Sequence, residues 1–161
     1  MQKTCTISAL GFRADFLFSP APLSPEYAVV QIELYLGQGR SNRLISSPQS
    51  FIMLKDIQRL VDYLETHITK LLQLPDTESP VFLPLELGFQ VQALGGELED
   101  SNEGILSLRV FVNAQADSDS ERVYVGCEGG VEVRGLRAFM ASLLEVMRCL
   151  ENNQPHCTET D

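Results

Sequence analysis

The feature that most restricts this chain is a series of three period-two segments joined by links too short for a parallel crossover. Leu85, Leu87, Phe89 and Val91 alternate in "VFLPLELGFQVQALGG", and Leu106, Leu108, Val110 and Val112 do so in "GILSLRVFVNA". In "SERVYVGCE", Val123, Val125 and Cys127 continue the pattern. Alternation of this kind places one set of side chains on one face of a strand. The links "GGELEDSNEG" and "QADSDS" are short, polar and acidic. A parallel neighbour needs a connection of a dozen or more residues, so the three segments are expected as an antiparallel meander.

Two other segments change period. In "LKDIQRLVDYLETHITKLLQL", Ile57, Leu60, Val61, Leu64, Ile68 and Leu71 recur at spacings of three and four, the stripe of an amphipathic helix. Asp56, Arg59, Asp62, Glu65 and Thr66 are expected to face largely away from it, with an end near Leu74-Pro75 and "PDTESP" as a solvated connector. In "VRGLRAFMASLLEVMRCL", Leu136, Phe139, Met140, Leu143, Leu144, Met147 and Leu150 form a second stripe. Ile57, Leu60, Val61 and Leu64 match Leu136, Phe139, Met140 and Leu143 at a constant shift, an echo that amphipathic helices also show without common descent.

The start of the chain is less regular. "CTISALGFRADFLF" is rich in strand-formers but alternates imperfectly, and Pro20, Pro22 and Pro25 interrupt it as a loop or edge irregularity. In "YAVVQIELYLG" the strand pattern returns, with Val30, Ile32, Leu34 and Leu36 on one face and Gln31, Glu33 and Tyr35 on the other. Together these patterns predict an α+β fold. An antiparallel sheet of about five to seven strands would carry two principal helices on one face. Residues 1–150 are expected as one domain, and residues 151–161 as a polar C-terminal tail.

Charge narrows the function classes. The chain has 161 residues, 12 basic and 22 acidic, for a formal net charge of −10. Nucleic acids and anionic membranes call for the opposite balance, so neither is expected as a partner. A basic protein is favoured instead, because opposite fields steer association. The start has no export-type cleavage pattern and no segment reads as a membrane span. Cys5, Cys127, Cys149 and Cys157 lack zinc spacing and a disulfide framework, so a reducing cytoplasm is the expected compartment.

"GCEGG", residues 126–130, is the most enzyme-like stretch. A nucleophilic cysteine needs a lowered pKa and a base, and only His67 and His156 are available. His67 falls near the polar boundary of its stripe, and neither histidine sits in a motif that predicts contact with Cys127. The glycines lack the spacing of a phosphate-binding loop. Cys127 is therefore expected as a buried strand residue, and Gly129-Gly130 as a tight turn or bulge before the second helix. No cofactor or metal site is expected, since "DSDSE" lacks the framework of a calcium loop.

In order and patterning, "DIQRLVDYLETHI", "LELGFQVQA", "GILSLRVFVNA", "RVYVGCE" and "GLRAFMASLLEVM" resemble WapI-like bacterial immunity proteins and related bacterial domains over roughly Tyr27 to Leu150. That resemblance implies an α+β domain that binds and neutralises a cognate toxin, and it brings no functional residues with it. The leading expectation is a non-enzymatic protein-binding domain, with Glu97, Glu99, Asp100, Glu103, Asp117, Asp119 and Glu121 as the partner-binding carboxylates. The alternatives are a structural or homo-oligomerising domain, such as a homo-dimer, using Tyr35 and Tyr124 on an exposed sheet face, and a small enzyme using Cys127 with His67.

Overall fold

The computed structural model describes residues 2–22, 24–115 and 122–152. Asp117, Asp119, Glu121 and most of the expected tail lie outside them. The described elements run β1 (Lys3–Ala9), β2 (Phe12–Pro20), β3 (Tyr27–Leu36), β4 (Arg43–Ser46), β5 (Ser50–Met53) and α1 (Leu54–Leu71). They continue with β6 (Phe89–Leu98), β7 (Gly104–Asn113), β8 (Tyr124–Glu132) and α2 (Val133–Asn152). The α+β class and the antiparallel pairing are as expected. The strands divide between two sheets, β1-β2-β3 with β4 and β5 sharing the far edge of β3, and β6-β7-β8.

The imperfect alternation near the start is a hairpin. Ala9 pairs with Phe12, and Gly11 takes the turn at φ 89°. Glycine adopts that conformation without a Cβ penalty. Buried apolar side chains fall on odd positions in β1 (Cys5, Ile7, Ala9) and even positions in β2 (Phe12, Ala14, Phe16, Phe18). The change of parity marks the turn.

One buried cluster takes these residues together with Ala28, Val30, Ile32 and Leu34 of β3, the core side of the second sheet, and both helical stripes. Leu36, expected on that face, is instead half exposed as β3 ends. Phe16 sits at the centre. Its ring lies 5.5 Å from Phe89 on β6, nearly perpendicular, and 5.3 Å from Phe139 on α2. Such contacts add to the free energy of burial. Truncating Phe16 to alanine costs about 3–5 kcal/mol for a residue of this size.

α1 begins without a side-chain cap, and the Leu54 amide donates to the Glu26 carbonyl at 2.9 Å instead. Asp56 in its first turn is fully buried rather than outward-facing. Its carboxylate accepts from the Leu85 amide at 2.9 Å and pairs with Arg59, as suits a helix N-terminus. α1 ends at Leu71, earlier than expected. The connector after it is partly pinned along β6. Phe82 bridges Val91, and the Ser79 amide donates to Ala93 at 3.0 Å, so the edge of β6 is covered.

Two sequence expectations fail in this region. Leu85 and Leu87 are not strand residues, because the strand starts only at Phe89 and residues 84–87 form a turn. Gly129 and Gly130 are not a turn either; they lie within β8, opposite Leu108 and Ser107. A Cβ on Gly129 would come within 2.4 Å of the Leu10 carbonyl oxygen, so glycine there permits close backbone approach.

Candidate functional site

The thiol and imidazole singled out in the sequence are engaged separately. Cys127 on β8 is half-buried opposite Val110, and burial pushes its thiol up rather than down. Activation of a thiol requires the reverse. Cys5 is buried and pushed up to about 12, by burial first and by the Glu145 charge second.

His67 is fully buried, a correction to its expected place at the polar boundary. Its Nε2 lies 2.8 Å from the Leu94 carbonyl oxygen, and its Nδ1 lies 2.8 Å from Ser79 Oγ. A carbonyl only accepts, so Nε2 carries the proton and Nδ1 accepts from the serine hydroxyl. Burial lowers the imidazole pKa, outweighing the Leu94 bond that favours the charged form, and Lys70 lowers it further. A hydroxyl against a neutral imidazole has the makings of a nucleophile and base. Ser79 is buried at 6% exposure, and its amide donates to the Ala93 carbonyl at 3.0 Å. The contact fastens α1, the connector and β6 to one another.

The acidic links are only partly as expected. Glu97 lies within β6, opposite Ile105, not in a link. Asp100 Oδ1 accepts from the amides of Asn102 and Glu103 and so closes the 99–103 turn. Glu103 is 2.6 Å from Arg134, while Arg137 donates to the Ser101 carbonyl and pairs with Glu65. Arginines at the start of α2 therefore neutralise part of this link. Glu99 remains an exposed carboxylate beside it. Among the described residues no three His, Cys, Asp or Glu side chains group as metal ligands, and no helix is long and apolar enough to cross a membrane.

The outer face of the first sheet holds what sequence reasoning missed. At one end Asp15 is 1% exposed. Its Oδ1 accepts from Thr6 and Arg13 at 2.8 Å each, and its Oδ2 accepts from Arg40 at 3.0 Å. Burial alone would raise its pKa; the Arg13 and Thr6 hydrogen bonds and the two guanidinium charges more than offset that, leaving it below the usual value. Glu33 beside it accepts from Arg43 at 3.1 Å and from the Tyr35 hydroxyl. The Glu33 hydrogen bond, then burial, raise the Tyr35 pKa. Tyr35 is 5% exposed, so it does not offer the surface expected of it. Tyr124 donates to the Leu87 carbonyl at 2.8 Å.

The other end of that face is apolar. Val29 is paired with Phe51, and Tyr27 with Met53. These four alternate with the core residues and stand outside the core cluster. The Tyr27 and Phe51 rings meet edge to face at 6.3 Å, and Phe51 is 52% exposed. With Ala21, Pro22, Ser24 and Glu86 they line an open groove of about 350 Å³.

Glu86 belongs to the 84–87 turn, which is tied down from several elements. The Leu87 amide donates to Pro84 at 3.0 Å, Asp56 holds the Leu85 amide, Tyr124 holds the Leu87 carbonyl, and the Asn113 amide donates to Gly88 at 2.9 Å. Leu87 has φ 55°, the one positive φ among the described non-glycine residues. A leucine held there stores about 1 kcal/mol or more of strain, which persists only when its surroundings impose it. No sequence motif signals this site, because it joins the proline-rich loop, two strands and a turn 35 positions beyond Phe51.

Compared with protein-family models and with curated proteins, the chain matches none.

Proposed function

We propose that this chain is a non-enzymatic protein-binding domain that recognises a basic partner through the outer face of its first sheet. The observation that carries this reading is the apolar end of that face. Tyr27, Val29, Phe51 and Met53 lie together outside the core cluster, on a chain with a net charge of −10. Clustered, partly exposed apolar side chains on a charged surface mark interaction sites.

Inhibition of a bacterial toxin in a reducing cytoplasm is the specific form of the reading, and it rests on the resemblance in helix and strand pattern. A second copy is the less favoured occupant, since two surfaces of like charge repel. The carboxylates of the 99–103 turn would act at longer range, raising the rate of encounter with a basic protein.

The test immobilises the wild-type chain and a Tyr27→Ser/Phe51→Ser variant, each checked for native circular dichroism, in lysate of the native host. The reading expects one protein retained by the wild type and lost by the variant, with retention weaker at high salt. Identical retention by both sinks it, as does a wild-type dimer by light scattering that the variant dissolves.

A further inference from the structure

We propose that the groove between Tyr27, Phe51 and Pro22 takes one apolar side chain of a partner segment, and that Glu86 pairs with a lysine or arginine adjacent to it. The inference rests on the protein-binding reading and specifies what that face selects.

Three observations point this way. The groove, about 350 Å³, is walled by Ala21, Pro22, Tyr27 and Phe51, and Glu86 is the one charged group lining it among the described residues. Its volume falls near the lower end of ligand sites, about 300–1,000 Å³, which suits a side chain rather than a large cofactor. The perpendicular Tyr27 and Phe51 rings present both an edge and a face to an incoming aromatic or aliphatic group.

Glu86 is exposed, and no ion pair or hydrogen bond of its side chain is seen among the described residues. By contrast Asp15, Glu33, Asp56, Glu65, Glu103 and Glu128 each hold an arginine. Glu99 also lies outside these pairs, but Glu86 is the carboxylate that borders the apolar groove, where a partner's cation would meet it.

The turn that carries Glu86 is held by Asp56, Tyr124 and Asn113 with Leu87 in a left-handed conformation. Its position is set before any partner arrives, which lowers the ordering cost of binding. A net charge of −10 disfavours an acidic segment or a second copy at the same place.

The probe is a displayed library of random twelve-residue peptides, panned against the wild-type chain at low salt. The expected consensus is an aromatic or large aliphatic residue within two positions of lysine or arginine. A synthetic peptide of that consensus should bind about tenfold more weakly to Phe51→Ser and to Glu86→Arg, and about threefold more weakly to Glu86→Gln. Glu151→Arg, an equal change of charge at the end of α2, should leave its affinity unchanged. Failure to enrich any consensus, a consensus without a basic residue, or equal binding to Glu86→Arg overturns the inference. A lysate partner that is lost with Tyr27→Ser/Phe51→Ser yet indifferent to Glu86→Arg overturns it too, while leaving the broader protein-binding reading standing.

Discussion

The Leu10 amide donates a hydrogen bond of 2.7 Å to the Gly130 carbonyl, so the β1-β2 hairpin tip is fastened onto β8. This bond links the two sheets across the place where a glycine pair in β8 lets the backbones meet. Gly129 is the position that makes the approach feasible. A methyl group there meets the Leu10 carbonyl, a backbone atom that cannot swing aside. Gly129→Ala is expected to destabilise the chain by about 1–3 kcal/mol, the usual range for overpacking. Gly135→Ala, in the first turn of α2 with nothing within 4 Å, should stabilise it by up to about 1 kcal/mol. Urea denaturation of both variants checks the pair, and similar midpoints would contradict this account of the glycines.

His67 predicts a pH dependence. Its folded pKa lies below the ordinary value of 6.5 because burial disfavours the charged ring. The unfolded chain therefore binds the proton first, and stability rises with pH in that window. The stability tied to the neutral ring is fully present above 6.5 and is lost as pH falls through the folded value. Between about pH 7 and 5, above the main carboxylate range, the wild type should lose stability on acidification. His67→Gln should be flatter over that window, though less stable at pH 7. Parallel curves for the two proteins would show that His67 does not set the slope.

Asp15 titrates with the same sign at lower pH. Its depressed pKa means that the stability it contributes is present above 3.8 and lost as pH falls through the folded value. Asp15→Asn leaves Arg13 and Arg40 without their shared anion and is expected to cost about 1–3 kcal/mol. Arg40→Ala should cost less, because Arg40 is 61% exposed and surface pairs contribute about 1 kcal/mol or less. Thermal melts rank the two, and an Arg40 variant less stable than the Asp15 variant would reverse the argument.

The thiols give a chemical check. Cys5 at about 12 and Cys127 with its raised pKa should be alkylated slowly at neutral pH in the folded chain and readily in urea. Peptide-resolved mass spectrometry after iodoacetamide treatment measures each cysteine by itself. Rapid native labelling of Cys127 would reopen its candidacy as a nucleophile.

The regular parts of the fold were legible because their periods are. The α1 stripe from Ile57 to Leu71 is buried position for position, and the β7 alternation from Leu106 to Val112 is equally faithful. The hairpin at Leu10-Gly11 was also written in the sequence, but in a change of parity across the turn rather than in a break. Glycines were ambiguous for a physical reason. The absence of a side chain suits a turn as well as a close approach, and only the partner strand decides which applies. Buried polar groups were the least legible. His67 owes its place to Ser79 and Leu94, and Asp56 owes its place to Leu85, at separations of 12, 27 and 29 residues. The groove was illegible on the same grounds, because Tyr27, Phe51 and Glu86 share no local pattern.

The far edge of β3 is divided between two four-residue strands, β4 and β5, with Ser47 spliced between them onto Ile32. Neither strand is long enough to template a further chain, and short edges of this kind resist amyloid-like growth. The interrupted rim thus offers little foothold for sticky, sequence-blind pairing along that edge of β3.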